Sequence, residues 1–168
     1  MSLVRSLFSD RNGSAAVELM LCMPILLVLI FGSFELGNFF LSEHVVQKAV
    51  RDAARYAARL PMTNYPSCTV PAGGTAEQGV QKLARTGTPT GTLSRLPGWT
   101  ADNMTTLAIR CDTTSSYGTG GIYADFPNGA PVVTVSAAVT YSTFFGSMGL
   151  GATTLTLHAQ SEAAVIGA

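Results

Sequence analysis

Charge is scarce in this sequence. Only 12% of its 168 residues are Asp, Glu, Lys or Arg, against about 25% in an ordinary soluble domain. Ten basic and ten acidic residues cancel to a formal net charge of zero, which argues against a nucleic-acid partner, because such a partner calls for a strongly basic surface. Cysteine is also sparse, and the three present form no C-x-x-C pair, so zinc-ribbon and thioredoxin-like chemistry have no basis. The two histidines, His44 and His158, have no Cys or His at metal-ligand spacing and read as surface or interface residues. There is no G-x-S-x-G and no G-x-x-x-x-G-K-[ST], so neither a nucleophile elbow nor a P-loop is available. Gly118-Thr-Gly-Gly121 lacks the lysine a phosphate cradle needs, and Asp102, Asp112 and Asp125 are scattered. The expectation is a protein that is not an enzyme and carries no cofactor and no metal.

What is present is concentrated at the start. A leader carrying Arg5 and Arg11 ends at Gly13, Ser14-Ala-Ala-Val-Glu18 follows, and residues 19–34 are uncharged. A carboxylate inside a membrane segment is expensive, about 2.5–3.5 kcal/mol at a helix centre on insertion scales, and so marks a functional site by default. Residues 14–60 read as one long helix, membrane-spanning over about 15–41. Its one proline, Pro24, removes a backbone hydrogen bond and is expected to bend it. Glu35 closes the uncharged run, about 25 Å from Glu18 along a helix axis, which matches one carboxylate near each face of a hydrocarbon core of about 30 Å.

Basic residues flank the run on both sides, Arg5 and Arg11 before it and Lys48, Arg51, Arg55 and Arg59 after it, so a count of positive charges does not orient the segment. The order of a short basic leader directly followed by an apolar segment does. It places the amino terminus in the cytoplasm and the rest of the chain on the periplasmic side of an inner membrane. A conventional secretory signal needs small residues just past its apolar core, and Ile30-Phe-Gly32 is a poor candidate.

Leader, glycine, retained apolar segment and glutamate together resemble a type IV pilin-like precursor. Glu18-Leu-Met-Leu-Cys-Met-Pro-Ile-Leu-Leu, Phe31-Gly-Ser-Phe-Glu-Leu-Gly37 and Ala49-Val-Arg-Asp-Ala-Ala-Arg-Tyr-Ala57 resemble the TadE-like family, pseudopilins or minor pilins of the tight-adherence (Flp) pilus system of bacteria and archaea. The similarity covers roughly residues 10–60. One departure is Leu19, where the family usually has an aromatic residue. The resemblance implies a prepilin peptidase that cuts between Gly13 and Ser14, making Glu18 the fifth residue of the mature chain. It also implies a structural role in pilus assembly, adhesion or secretion. Its implied partners are other pilin and pseudopilin subunits, an inner-membrane assembly platform and membrane lipid. The alternative is an uncleaved, single-span periplasmic scaffold.

The remaining domain boundaries are a leader at 1–13 and an exported globular domain at 61–168. Val46, Val50, Ala53, Ala57 and Leu60 recur at steps of three and four, forming an apolar stripe expected to pack on the chain's own domain. Lys48, Arg51, Asp52, Arg55 and Arg59 occupy the other face, with Lys48 and Asp52 spaced for an ion pair. A second helix is expected from about Thr75 as N-cap, with Ala76, Val80, Leu83 and Ala84 inward and Gly87 closing it. Residues 87–103 read as a turn-rich connection. Three antiparallel strands follow from period-two alternation, at 105–113, 131–143 and 153–165, with a Ser/Thr/Gly-rich loop over 114–130 and a tight connection over 144–151. The fold class is α+β, pilin-like, a long helix backed by a small sheet. Cys22, in the apolar run, reads as a small buried hydrophobe. Cys68 and Cys111 are a disulfide candidate in an oxidising compartment, one that would stabilise the fold by roughly 3–4 kcal/mol in the chain-entropy model.

Overall fold

The computed structural model describes residues 14–114, 120–124, 126–141, 143–147 and 155–167. Leader residues 1–13, Gly13 among them, lie outside these, as do Asp125 and two residues of the Gly118–Gly121 turn, 118 and 119. Helix α1 spans Ser14–Arg59 and continues through Pro24. Helix α2 spans Thr75–Thr86, β1 Thr105–Asp112, β2 Ala130–Tyr141, the single turn α3 Phe144–Ser147 and β3 Leu155–Ala164. The chain forms two compact units divided after Asn38. The second half of α1 therefore shares a core with everything that follows it.

The three strands form one antiparallel sheet in sequence order, with β2 central. Its register aligns the alternating apolar positions, Leu107 opposite Val135 and Val139 opposite Leu157. The inward row of β2, Val133, Val135, Ala137, Val139 and Tyr141, is buried throughout. Val46, Ala49, Val50, Ala53, Ala57 and Ala58 of α1 join these side chains in one apolar cluster. Small residues dominate the helix side, which lets α1 lie close to the sheet. The Phe39 ring meets Tyr141 edge-on, with centroids 5.3 Å apart. Helix α2 buries Ala76, Val80 and Ala84, with Leu83 partly covered.

Three expectations are corrected. Thr75 is the first helical residue and Gly74 occupies the cap. No side chain caps the helix; the Glu77 carboxylate of the first turn instead accepts from the Gly73 N–H at 2.7 Å, tying down the residue before the cap and placing negative charge at the helix amino terminus. Asp52 pairs with Arg95 at 3.8 Å, not with Lys48; a cation from the 87–103 segment reaches it across the fold. Cys22 is exposed rather than buried, because its neighbours along that stretch of α1 present their side chains outward as well.

The 87–103 segment is more than a connection. Trp99 is fully buried within it. A Cβ at Gly98 would overlap the Thr140 carbonyl oxygen, so only glycine brings this backbone onto β2 and seats the indole. The Ser94 hydroxyl donates to the carbonyls of Leu96 and Trp99, each at 2.8 Å. Arg85 closes the base of the segment on Asp102 at 2.6 Å. Gly87 ends α2 in the left-handed region at φ 91°, its N–H bonded to the Leu83 carbonyl.

Two polar contacts fix the end of α1. The Ile166 N–H reaches the Ala58 carbonyl at 2.9 Å, and the Tyr65 hydroxyl donates to the Ala57 carbonyl at 2.8 Å. Burial, with a smaller contribution from Tyr56, pushes the Tyr65 phenol up to about 12 from 10.0. The folded form thus holds this proton more tightly than the unfolded form. Its contribution is complete below pH 10 and is lost as pH rises through about 12. Tyr65→Phe is expected to cost about 1 kcal/mol at neutral pH. It should also flatten the alkaline loss of stability, measured by denaturant titration between pH 9 and roughly 12. A parent and variant with the same alkaline profile would exclude Tyr65 as its source.

Candidate functional site

Helix α1 is long and apolar enough to cross a membrane, with mean hydropathy 2.4 over its most apolar window. Large apolar side chains from Val17 to Leu41 stand exposed, among them Met20, Leu21, Val28 and Phe34. So broad an apolar surface is not a water-facing one. The polar groups within it are few. The Ser33 hydroxyl donates to the Leu29 carbonyl at 2.7 Å, inside the helix, so it places no unsatisfied donor in an apolar medium. Gly32 and Gly37 have open space where a Cβ would stand, which leaves the helix backbone approachable there. Glu35 is half-buried.

Glu18 is exposed in the first turn and a half of the helix. Ser14 is the first helical residue, four positions earlier and so on the same face. Gly13 lies outside the described residues. From Ser14 to Phe34 the sequence carries one acidic or basic side chain, Glu18. A charge buried in such a medium is tolerable chiefly when paired.

Cys68 and Cys111 are brought together with Cα atoms 6.0 Å apart and their sulfurs bonded, joining the loop after α1 to β1. Ser67 and Cys68 both have positive φ, 52° and 60°, so the loop takes a sharp bend to deliver the sulfur. Intact mass without reductant is expected to be two hydrogens below the reduced value. Two alkylatable thiols besides Cys22 in the folded protein would contradict the bond.

Among the described residues no three His, Cys, Asp or Glu side chains are placed to hold a metal. Cavities on the globular unit include one of about 430 Å³ on the outward sheet face by Asn103, Ser136 and His158, one of about 290 Å³ by Asp52, Arg55, Tyr56 and Arg59, and one of about 270 Å³ beside the disulfide. In the first, the Ser136 hydroxyl is paired with that of Thr106 at 2.9 Å. His44 and His158 are exposed. The sequence places Trp99 in a turn-rich connection around Gly91 and Pro97 and gives it no core role, because a loop has no periodicity; the adjacent Pro97-Gly98 pair signals only a turn.

No curated protein and no solved structure matches the chain. Residues 13–55 match the family model described as TadE-like protein, so the similarity covers the stretch that carries the exposed apolar surface, Glu18 and the Arg51–Arg55 turn.

Proposed function

We propose that the protein is a non-enzymatic minor pilin or pseudopilin of a tight-adherence (Flp) pilus. A prepilin peptidase processes it after Gly13, and α1 holds it in the inner membrane with the globular unit on the periplasmic side. The observation that carries this reading is the amino-terminal end of α1. An exposed apolar helix begins at Ser14 and carries Glu18 just ahead of the uncharged run 19–34, within a segment matched by the TadE-like model. Before cleavage no charged amine stands near Glu18. After cleavage Ser14 bears an ammonium, and the two charges relieve each other's desolvation when they meet in lipid. Donated by a neighbouring subunit, the ammonium also sets the axial register of assembly.

The same helix serves the two stages of such a role. Its apolar half partitions into lipid or packs against other subunits' helices. Its second half packs with the sheet through the Val46–Ala58 stripe, which joins that part of the helix to the globular unit. Other pilin subunits, the peptidase and the inner-membrane platform are the partners this role requires.

The test is a strain lacking the gene. It is expected to lose surface pili by electron microscopy and to regain them when the gene is restored. Normal piliation without the gene would remove the assembly role.

A further inference from the structure

The face of α1 opposite the core carries Lys48, Arg51, Arg55 and Arg59. Their spacing aligns them along one side of the helix, and all four are exposed. The ion pairs of the described residues are Arg85–Asp102, Arg95–Asp52 and Arg110–Glu162, so none of the four has a carboxylate partner. Asp52, the nearest acid on the helix, is drawn away by Arg95. The row covers about 16 Å of helix, at 1.5 Å per residue. Four like charges at this spacing repel one another, and nothing in the packing of the domain requires them.

We infer that this row is a docking surface for the acidic face of a different protein subunit lying alongside α1. The inference rests on the assembly role proposed above. The complement must supply carboxylates, and a second copy of this chain is poorly equipped to do so. Asp52, Asp102 and Glu162 are committed to arginines of their own chain, and Glu43, Glu77 and Asp112 accept hydrogen bonds from their own chain. Anionic lipid fits the length of the row badly. The headgroup layer on each side of a bilayer is about 5–8 Å deep. Arg59 follows the last residue of the apolar run, Leu41, by eighteen positions, which is about 27 Å of helix. Lipid headgroups would serve Lys48 and leave Arg55 and Arg59 unmatched, whereas a protein surface running along the helix meets all four. Exposed charges of this kind govern encounter rate and register more than affinity, which suits subunits that must align before they pack.

The test uses the full chain in the membranes of cells that express the whole pilus system. A variant with Arg55→Lys and Arg59→Lys keeps the charge and supplies amines. Carbodiimide joins an amine to a carboxylate in contact with it, and mass spectrometry maps the joined peptides. The expected product links Lys48 or either introduced amine to an Asp or Glu of a different subunit. A variant with Arg51→Glu, Arg55→Glu and Arg59→Glu should lower the Lys48 product roughly tenfold while processing and membrane level stay as in the parent. Absence of any protein product, or a product confined to a second copy of this chain, overturns the inference. So does phosphatidylglycerol retained in native mass spectrometry by the parent and lost by the reversed variant in place of a protein product. The crosslink is read whether or not pili form, so its failure is distinct from a failure of the gene-deletion test.

Discussion

Glu18→Ala is expected to be cleaved and inserted like the parent and to leave cells without surface pili. Removing a charge from an apolar segment makes insertion easier, by up to about 2.5–3.5 kcal/mol, so loss of pili through failed insertion is not the expected route. What is lost is the counter-charge. The Ser14 ammonium would enter lipid unpaired, and breaking a buried pair by deleting one partner costs about 3–5 kcal/mol. Gly13→Leu should fail differently. A bulky side chain replaces the small residue at the cut, precursor accumulates, and assembly stops for want of a free amine. The ratio of precursor to mature chain on a gel separates the two variants, and surface pili are counted in strains carrying only the variant. Normal piliation with Glu18→Ala would reduce Glu18 to a tolerated polar residue.

Trp99→Ala is expected to give the largest loss of stability of any single core truncation, about 3–5 kcal/mol. The indole is fully buried, and its seat depends on a loop with no regular hydrogen-bonded structure to hold it in place once the ring is gone. Gly98→Ala should approach the same loss by a different cause, since the added methyl would meet the Thr140 carbonyl and push the segment off β2. The readout is the denaturant midpoint of the detergent-extracted chain. Proteolysis within residues 87–103 should accelerate in both variants. A Trp99→Ala midpoint equal to the parent's would show that the segment packs independently of its tryptophan.

The regular parts of the fold were legible because one residue pattern determines each. Val133, Val135, Ala137, Val139 and Tyr141 alternate strictly, and a half-buried strand is the arrangement that buries all five. Val46, Val50, Ala53 and Ala57 recur with the helical period, and the helix buries them together. What escaped depended on groups distant in sequence. Lys48 is the local partner for Asp52, but Arg95 takes it, because the loop that seats Trp99 delivers a guanidinium to that point. Gly98 and Gly167 matter for where the Thr140 carbonyl of β2 and the Leu60 carbonyl just past α1 pass, which no window of sequence contains. Thr75 lost its capping position to Gly74, one residue earlier, where no side chain caps the helix and a cap-preferring residue type gives no signal. At the candidate site the chemistry was legible in the sequence, since a lone carboxylate in an apolar run is conspicuous. The contact it makes belongs to an assembly, and one chain names the charge without naming its neighbour.

Cleavage that frees the Ser14 amine is the step on which the pairing, the register and the assembly role all depend. Amino-terminal sequencing of the protein extracted from membranes reads that step directly. The account predicts a sequence beginning Ser14-Ala-Ala-Val-Glu18. A sequence beginning at Met1 or Ser2 would contradict it and make the protein an uncleaved membrane-anchored scaffold.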